Sequence, residues 1–269
     1  MPVFTDLSKA DESATAELGQ LVPMYEELVS SSKVHLLQSL VSRMLVEQVF
    51  DAYFVGLTTE QARQLTQVET FLSSFGKYTP RSVLVTPQAE LLSADWNPLH
   101  LHHAERLPTD GITTNAAQSP EPINQWRSHT LTILKGEASQ KLDKETAQIT
   151  DTIVQRVSRL LDAITDSTAT EARDQGLRAL IASAIELSRL LVVQKAIFKV
   201  AMPEILPHQR TVFDPATMED LGGEDEEGLE EREICCVAFP GIIKRGDESG
   251  GHLQYRNVIA KARVLCSPE

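Results

Sequence analysis

Apolar residues recur every three to four positions along several stretches of the chain, and this spacing is typical of amphipathic α-helices. The clearest stretch runs from Lys33 to Gly56. Its apolar stripe consists of Val34, Leu37, Val41, Leu45 and Val49, reinforced by Leu36, Leu40 and Met44. Glycine commonly follows the last turn of a helix because it adopts the left-handed conformation without strain. We therefore predict one long helix that ends at Gly56.

A second helix is predicted directly after Gly56. Thr58 and Gln61 have the spacing of a capping box, in which each side chain accepts a hydrogen bond from a backbone N–H of the other residue. The apolar face of this helix comprises Leu65, Val68, Phe71, Leu72 and Phe75, and Gly76 follows it. Together with the preceding helix, it forms a predicted helical hairpin.

Further helices are predicted on both sides of this hairpin. Shorter ones are expected around 11–21 and at 23–29, and longer ones at 123–136, at about 139–165 and at 168–200. The last of them begins with a second capping-box pattern, Thr168 and Glu171. Pro203 ends it, because proline cannot continue the helical hydrogen-bond ladder.

The helical pattern is absent from two parts of the chain. Six prolines interrupt a polar stretch from Lys77 to Pro122, so we predict a long loop there. Ile234 to Phe239 and Val258 to Cys266 are rich in strand formers and are separated by a Gly-rich stretch. The predicted fold class is mainly α: one or two antiparallel helical bundles with a long central loop and a small C-terminal β-hairpin or ribbon.

The chain therefore divides into five predicted segments. They are an N-terminal helical segment at 1–76, a Pro-rich loop at 77–122, a helical bundle segment at 123–203, an acidic linker at 204–233 and a β-ribbon at 234–269. A two-stranded ribbon is marginal alone in water. We expect it to pack on the helical body as part of one domain.

The formal net charge of −13 comes mostly from one segment, because Glu219 to Glu233 carry nine acidic side chains and one arginine. This charge argues against nucleic acid or an anionic membrane as the main partner. Blocks of like charge are usually solvated linkers; the alternative is an electrostatic docking site for a basic partner. The candidate partner-binding residues are Glu224, Asp225, Glu226, Glu227, Glu230 and Glu231.

The cellular location is predicted from the lack of a membrane-spanning run, of a signal peptide and of a disulfide framework. The sequence has no apolar run long enough to span a bilayer, and its N-terminus has neither the basic nor the apolar region of a signal peptide. The odd number of cysteines, three, does not fit a disulfide framework. We expect a cytoplasmic or nuclear protein with free thiols.

The most suggestive chemistry lies in the predicted loop, where His100, His102 and His103 are flanked by Asp95 and Glu105. Imidazoles and carboxylates are good ligands for zinc and other divalent cations. The i, i+4 spacing of a helical zinc motif is absent, so the alternative is a polar surface loop with incidental histidines. No catalytic residue and no cofactor are predicted, because no nucleophile elbow, zinc-protease motif or P-loop occurs.

These observations support three hypotheses about function. The leading one is a non-enzymatic interaction, scaffold or regulatory protein whose partner is another protein. The first alternative is a metal-dependent enzyme that uses His100, His102 and His103. The second is a chromatin- or transcription-linked regulator that docks a basic partner through its acidic segment. The oligomeric state stays open.

Overall fold

The structure is a computed structural model that describes residues 12–75, 120–137, 139–165, 170–206, 210–222 and 232–267. These residues are mostly helical, and their strands lie toward the C-terminal end. The mainly α class with C-terminal strands is therefore confirmed, whereas the antiparallel bundle arrangement stays a prediction. None of the described helices is long and apolar enough to cross a membrane.

Seven α-helices occur among these residues, with a π-helical turn, Val46–Phe50, directly after the third. They are α1 (Glu12–Leu21), α2 (Tyr25–Ser31), α3 (Lys33–Leu45), α4 (Thr59–Ser74), α5 (Glu121–Glu137), α6 (Ser139–Ile164) and α7 (Glu171–Val192). Local chemistry fixes the start of α4. The Gln61 N–H donates to the Thr58 hydroxyl and the Thr58 N–H donates to the Gln61 side chain, so this predicted capping box is confirmed.

The prediction of one helix from Lys33 to Gly56 is wrong for the last part of that range. α3 ends at Leu45, and the π-helical turn closes with the Asp51 N–H donating to the Val46 carbonyl. Gly56 lies in a turn farther along, at φ +103°. Val49 remains fully buried beyond the end of α3. The apolar stripe therefore predicts correctly that these residues are buried, but not that they all lie in an α-helix, because residues of a turn can be buried too.

The predicted boundaries of the helix from Thr168 to Val200 are wrong at both ends. α7 is capped by Thr170, whose hydroxyl accepts from the Arg173 N–H at 3.2 Å, and the helix ends at Val192. Strand β1 (Ile197–Ala201) follows and pairs antiparallel with β4 (Gly241–Arg245). Short apolar runs suit a helix or a strand equally well. The pairing with a strand some forty residues farther along decides between them.

The predicted two-stranded ribbon is replaced by two three-stranded sheets. The remaining strands are β2 (Met218–Asp220), β3 (Ile234–Phe239), β5 (Arg256–Ala260) and β6 (Ala262–Cys266). The strand orders are β1-β4-β5 and β2-β6-β3, and β2 is parallel to β6. The predicted strand at 234–239 is confirmed as β3. The predicted strand at 258–266 is divided at Lys261 into β5 and β6, which belong to different sheets.

Helix α3 lies at the centre of the main core. Leu36, Leu40 and Met44 of this helix are fully buried, in a cluster that also contains side chains of α1, α2, α6 and α7. Another side of α3 lies along β3, where the Ser42 hydroxyl donates to the Ala238 carbonyl at 2.7 Å. The helical and strand parts of the described chain therefore meet at α3.

Candidate functional site

Both sites predicted from the sequence lie outside the described residues. They are the metal-ligand candidates His100, His102 and His103 and the partner-binding candidates Glu224, Asp225, Glu226, Glu227, Glu230 and Glu231. Both stay predictions. Within the described ranges, no group of three His, Cys, Asp or Glu side chains could hold a metal ion.

Cys236 and Cys266, near the C-terminal end, are poor nucleophiles. Cys235 and Cys236 are buried. Burial raises the pKa of Cys236 to about 12. Burial, together with the nearby Asp220 carboxylate, also raises the pKa of Cys266 to about 12. Because the thiolate is the reactive form, the thiols of Cys236 and Cys266 are inert near neutral pH.

The turn after β4 brings Asp247, Ser249 and His252 into contact. The Ser249 hydroxyl donates to Oδ1 of Asp247 at 2.7 Å, and Nδ1 of His252 lies 2.7 Å from Oδ2. The hydrogen bond from Ser249, followed by that of His252, lowers the pKa of Asp247 below its usual value. A serine nucleophile must donate to the imidazole base, whereas Ser249 donates to the carboxylate. These three residues therefore stabilise a turn and do not form a catalytic triad.

The second half of α4 exposes its apolar side. Phe71 and Phe75 are 61% and 68% exposed, whereas Glu69 and Ser73 on the other side of the helix are buried. A surface helix normally buries its apolar side, so this half of α4 is inverted. We define the α4 apolar face as Val68, Phe71, Leu72 and Phe75.

Polar contacts on the buried side accompany this inversion. The Tyr53 hydroxyl donates to Oε2 of Glu69 at 3.1 Å, and the Ser73 hydroxyl donates to the Glu69 carbonyl. On the exposed side, the rings of Phe71 and Phe75 pack edge to face with their centroids 5.0 Å apart. Glu69 is the one ionisable side chain between Gln64 and Phe75. The α4 apolar face is therefore surrounded by uncharged residues along the helix.

A cavity of about 330 Å³ lies between the α1–α2 corner, α3 and β3. This volume falls within the range of small-molecule sites, roughly 300–1,000 Å³. Apolar side chains from the corner and from the segment after β1 line it: Leu21, Val22, Pro23, Met202 and Ile205. Ser39 and Arg43, one turn apart on α3, also line it. We call it the α3 cavity.

Ser39 has an unusual environment for a helical serine. It is 3% exposed, yet its hydroxyl makes no hydrogen bond to any residue that the structure describes. A serine within a helix commonly donates to the carbonyl four residues earlier, as Ser73 and Ser183 do. The Ser39 side chain therefore places a hydroxyl without a protein partner on the wall of the α3 cavity.

Arg43 belongs to a cluster of three arginines and two glutamates. Its Nε donates to Glu47 at 3.2 Å, and Arg156 contacts Glu47 and Glu17. Arg159 also pairs with Glu17. Burial opposes the ionisation of Glu17, but the two arginine hydrogen bonds outweigh it and lower its pKa. The cluster therefore carries one excess positive charge beside the α3 cavity.

Two serines of α3 provide a direct test of this geometry. We expect Ser42→Ala to lower the free energy of unfolding by about 1–3 kcal/mol, because the buried Ala238 carbonyl loses its donor. Ser39→Ala removes no hydrogen bond, and alanine favours a helix by about 0.5 kcal/mol. Its stability should equal or exceed that of the wild type. Urea denaturation of both variants measures the difference, and equal losses would contradict the absence of a hydrogen bond from Ser39 to the described residues.

No protein-family model, curated protein or solved structure matches this chain. Neither the α4 apolar face nor the α3 cavity could be identified as a site from the sequence. The apolar stripe at 65–75 is typical of a helix side that packs in a core. Ser39 and Arg43 are typical polar residues of a helix, and nothing in the sequence places them beside a cavity.

Proposed function

We propose that this chain is a non-enzymatic interaction protein that binds another protein through the α4 apolar face. The observation that carries this proposal is the exposure of two aromatic side chains in contact, Phe71 of α4 and Phe75 at its C-terminal cap. Contiguous exposed apolar side chains on a soluble chain commonly mark interaction sites. Aromatic residues are also enriched among the side chains that contribute most to binding free energy.

The uncharged character of the face limits the kind of partner. Because the segment from Gln64 to Phe75 has no exposed ionisable side chain, a matching surface must be apolar, such as the apolar side of an amphipathic helix. A second copy of this chain is less suitable, since two chains of net charge −13 repel each other at long range. The proposed partner is therefore a different protein with an apolar contact surface.

Salt dependence distinguishes binding through the α4 apolar face from docking through the acidic segment. Attraction between exposed charges weakens as salt screens it, whereas burial of apolar surface does not. Binding through the α4 apolar face should therefore persist between about 0.05 and 0.5 M salt, while binding through the acidic residues should weaken strongly.

The test replaces both exposed phenylalanines. We expect Phe71→Ser with Phe75→Ser to weaken binding at least thirtyfold, because hot-spot side chains contribute about 2 kcal/mol or more each. A partner captured from native cells on the full chain is identified by mass spectrometry and purified. Its affinity for the wild type and the variant is then measured by calorimetry at low and high salt.

The matched control removes exposed apolar side chains elsewhere. Leu187→Ser with Leu190→Ser acts on two exposed leucines of α7 and should leave the affinity unchanged. Loss of binding in this control but not in the α4 variant would overturn the proposal. So would binding that disappears at high salt, or self-association of the wild type that the α4 variant abolishes.

A further inference from the structure

We propose that the α3 cavity binds a small monocarboxylate with an apolar tail, and that Ser39 and Arg43 hold its carboxylate. This site is independent of the α4 apolar face, because the cavity lies between the α1–α2 corner, α3 and β3. The proposal assigns the chain a small-molecule ligand in addition to a protein partner.

The size and walls of the cavity define the tail of the ligand. A volume of about 330 Å³ lies at the small end of the range for ligand sites, roughly 300–1,000 Å³, so the ligand must be small. Leu21, Val22, Pro23, Met202 and Ile205 provide apolar contacts along it. A straight-chain acid of about eight carbons has this size, and burial of its methylene groups would supply most of the binding free energy.

Ser39 defines the polar end. Its hydroxyl lines the cavity and has no hydrogen-bond partner among the described residues, so it can donate to the carboxylate of a ligand. The neighbouring thiol of Cys236 also lines the cavity and stays protonated, because burial raises its pKa to about 12. It therefore adds no negative charge near the proposed carboxylate position.

Arg43 defines the charge of the head group. It lies one turn after Ser39 on α3, so both side chains are on the same side of the helix. Its Nε is used by Glu47, while its two Nη groups have no partner among the described residues. A guanidinium with free N–H groups is well suited to a carboxylate. Glu204 also lines the cavity, but it is exposed and its charge is screened by water.

The test uses octanoate with the full chain and isothermal titration calorimetry. We expect one binding site for octanoate, with octanol binding more weakly and octylamine not binding. Ser39→Ala should weaken octanoate binding about tenfold, which is the effect of losing a hydrogen bond to a charged group. Arg43→Gln should weaken it at least as much. Arg63→Gln, which removes an exposed arginine of α4, is the matched control and should bind like the wild type.

The controls distinguish lost binding from lost structure. Ser39→Ala breaks no hydrogen bond, so its circular dichroism spectrum without ligand should match that of the wild type, and its thermal midpoint should equal or exceed the wild-type value. Weaker binding without a lower midpoint supports the proposal. Octylamine that binds as tightly as octanoate, equal affinities in the wild type and the Ser39→Ala and Arg43→Gln variants, or no octanoate binding at millimolar concentration would each overturn it.

Discussion

Replacing Arg127 with methionine is expected to lower the free energy of unfolding by about 3 kcal/mol, because three hydrogen-bond acceptors lose the charged donor that satisfies them. Arg127 lies on α5 and is 2% exposed. Methionine fills much of the same volume but donates no hydrogen bond. The expected loss is therefore a loss of polar contacts, with little contribution from a cavity.

Those contacts join α5 to the end of α7. Nη1 of Arg127 donates to Oδ1 of Asn124 at 2.8 Å, and Nη2 donates to the Gln194 and Lys195 carbonyls at 3.1 Å each. Ser128 donates to the preceding carbonyl, that of Val193. Three consecutive carbonyls just beyond α7 thus receive donors from α5. The positive guanidinium also lies at the negative end of the helix dipole.

Two further variants test whether these hydrogen bonds are responsible. Arg127→Lys keeps the charge but cannot reproduce the planar fork of donors, so we expect it to lose about 2 kcal/mol or more. Arg178→Met removes an exposed arginine of α7 that pairs with Asp151, and should cost about 1 kcal/mol or less. Urea denaturation of all three proteins gives the comparison. Full stability of Arg127→Lys would show that charge alone accounts for the effect.

The sequence predicted those elements whose boundaries depend on local chemistry. The capping box of Thr58 and Gln61 begins α4, and the run of strand formers at 234–239 becomes β3. The errors occur where distant residues decide the conformation. Ile197–Ala201 is a strand because Gly241–Arg245 pairs with it. α7 ends at Val192 and not at the predicted Val200, and Arg127 donates to the carbonyls that follow its end.

The candidate sites were less predictable than the fold for a related reason. A helical stripe such as Val68, Phe71 and Phe75 predicts which residues share a side, but the neighbouring elements decide whether that side is buried. The packing of α4 buries Glu69 instead. Ser39 and Ser42 are likewise both serines, three positions apart on α3. The position of β3 relative to α3 provides a hydrogen-bond acceptor for Ser42 and none for Ser39.

A second large effect is expected at Gly56, where replacement by alanine should cost about 2–5 kcal/mol from backbone strain and overpacking together. Its φ of +103° is unfavourable for any residue with a Cβ. An added Cβ would also lie 2.9 Å from both Cβ of Leu142 and Oγ1 of Thr146 on α6. Both distances are too short, so α6 or the turn would have to move.

The matched control is Gly176→Ala in α7, where an added Cβ meets nothing within 4 Å. Because that glycine lies inside a helix, alanine should stabilise the protein by about 1 kcal/mol. The two Gly→Ala substitutions should therefore shift the urea midpoint in opposite directions. Equal shifts would contradict the close approach of the Gly56 turn to α6.

A double-mutant cycle separates strain from crowding at this turn. Thr146→Ala removes one of the two atoms that a Cβ on residue 56 would strike, namely the hydroxyl oxygen that also accepts from Arg189 at 2.8 Å. Backbone strain at φ +103° is the same in both backgrounds, whereas the steric conflict is smaller without the hydroxyl. The double variant should therefore lose less stability than the sum of the single losses, by about 0.5–3 kcal/mol. Strictly additive losses would assign the whole cost of Gly56→Ala to the backbone and to Leu142.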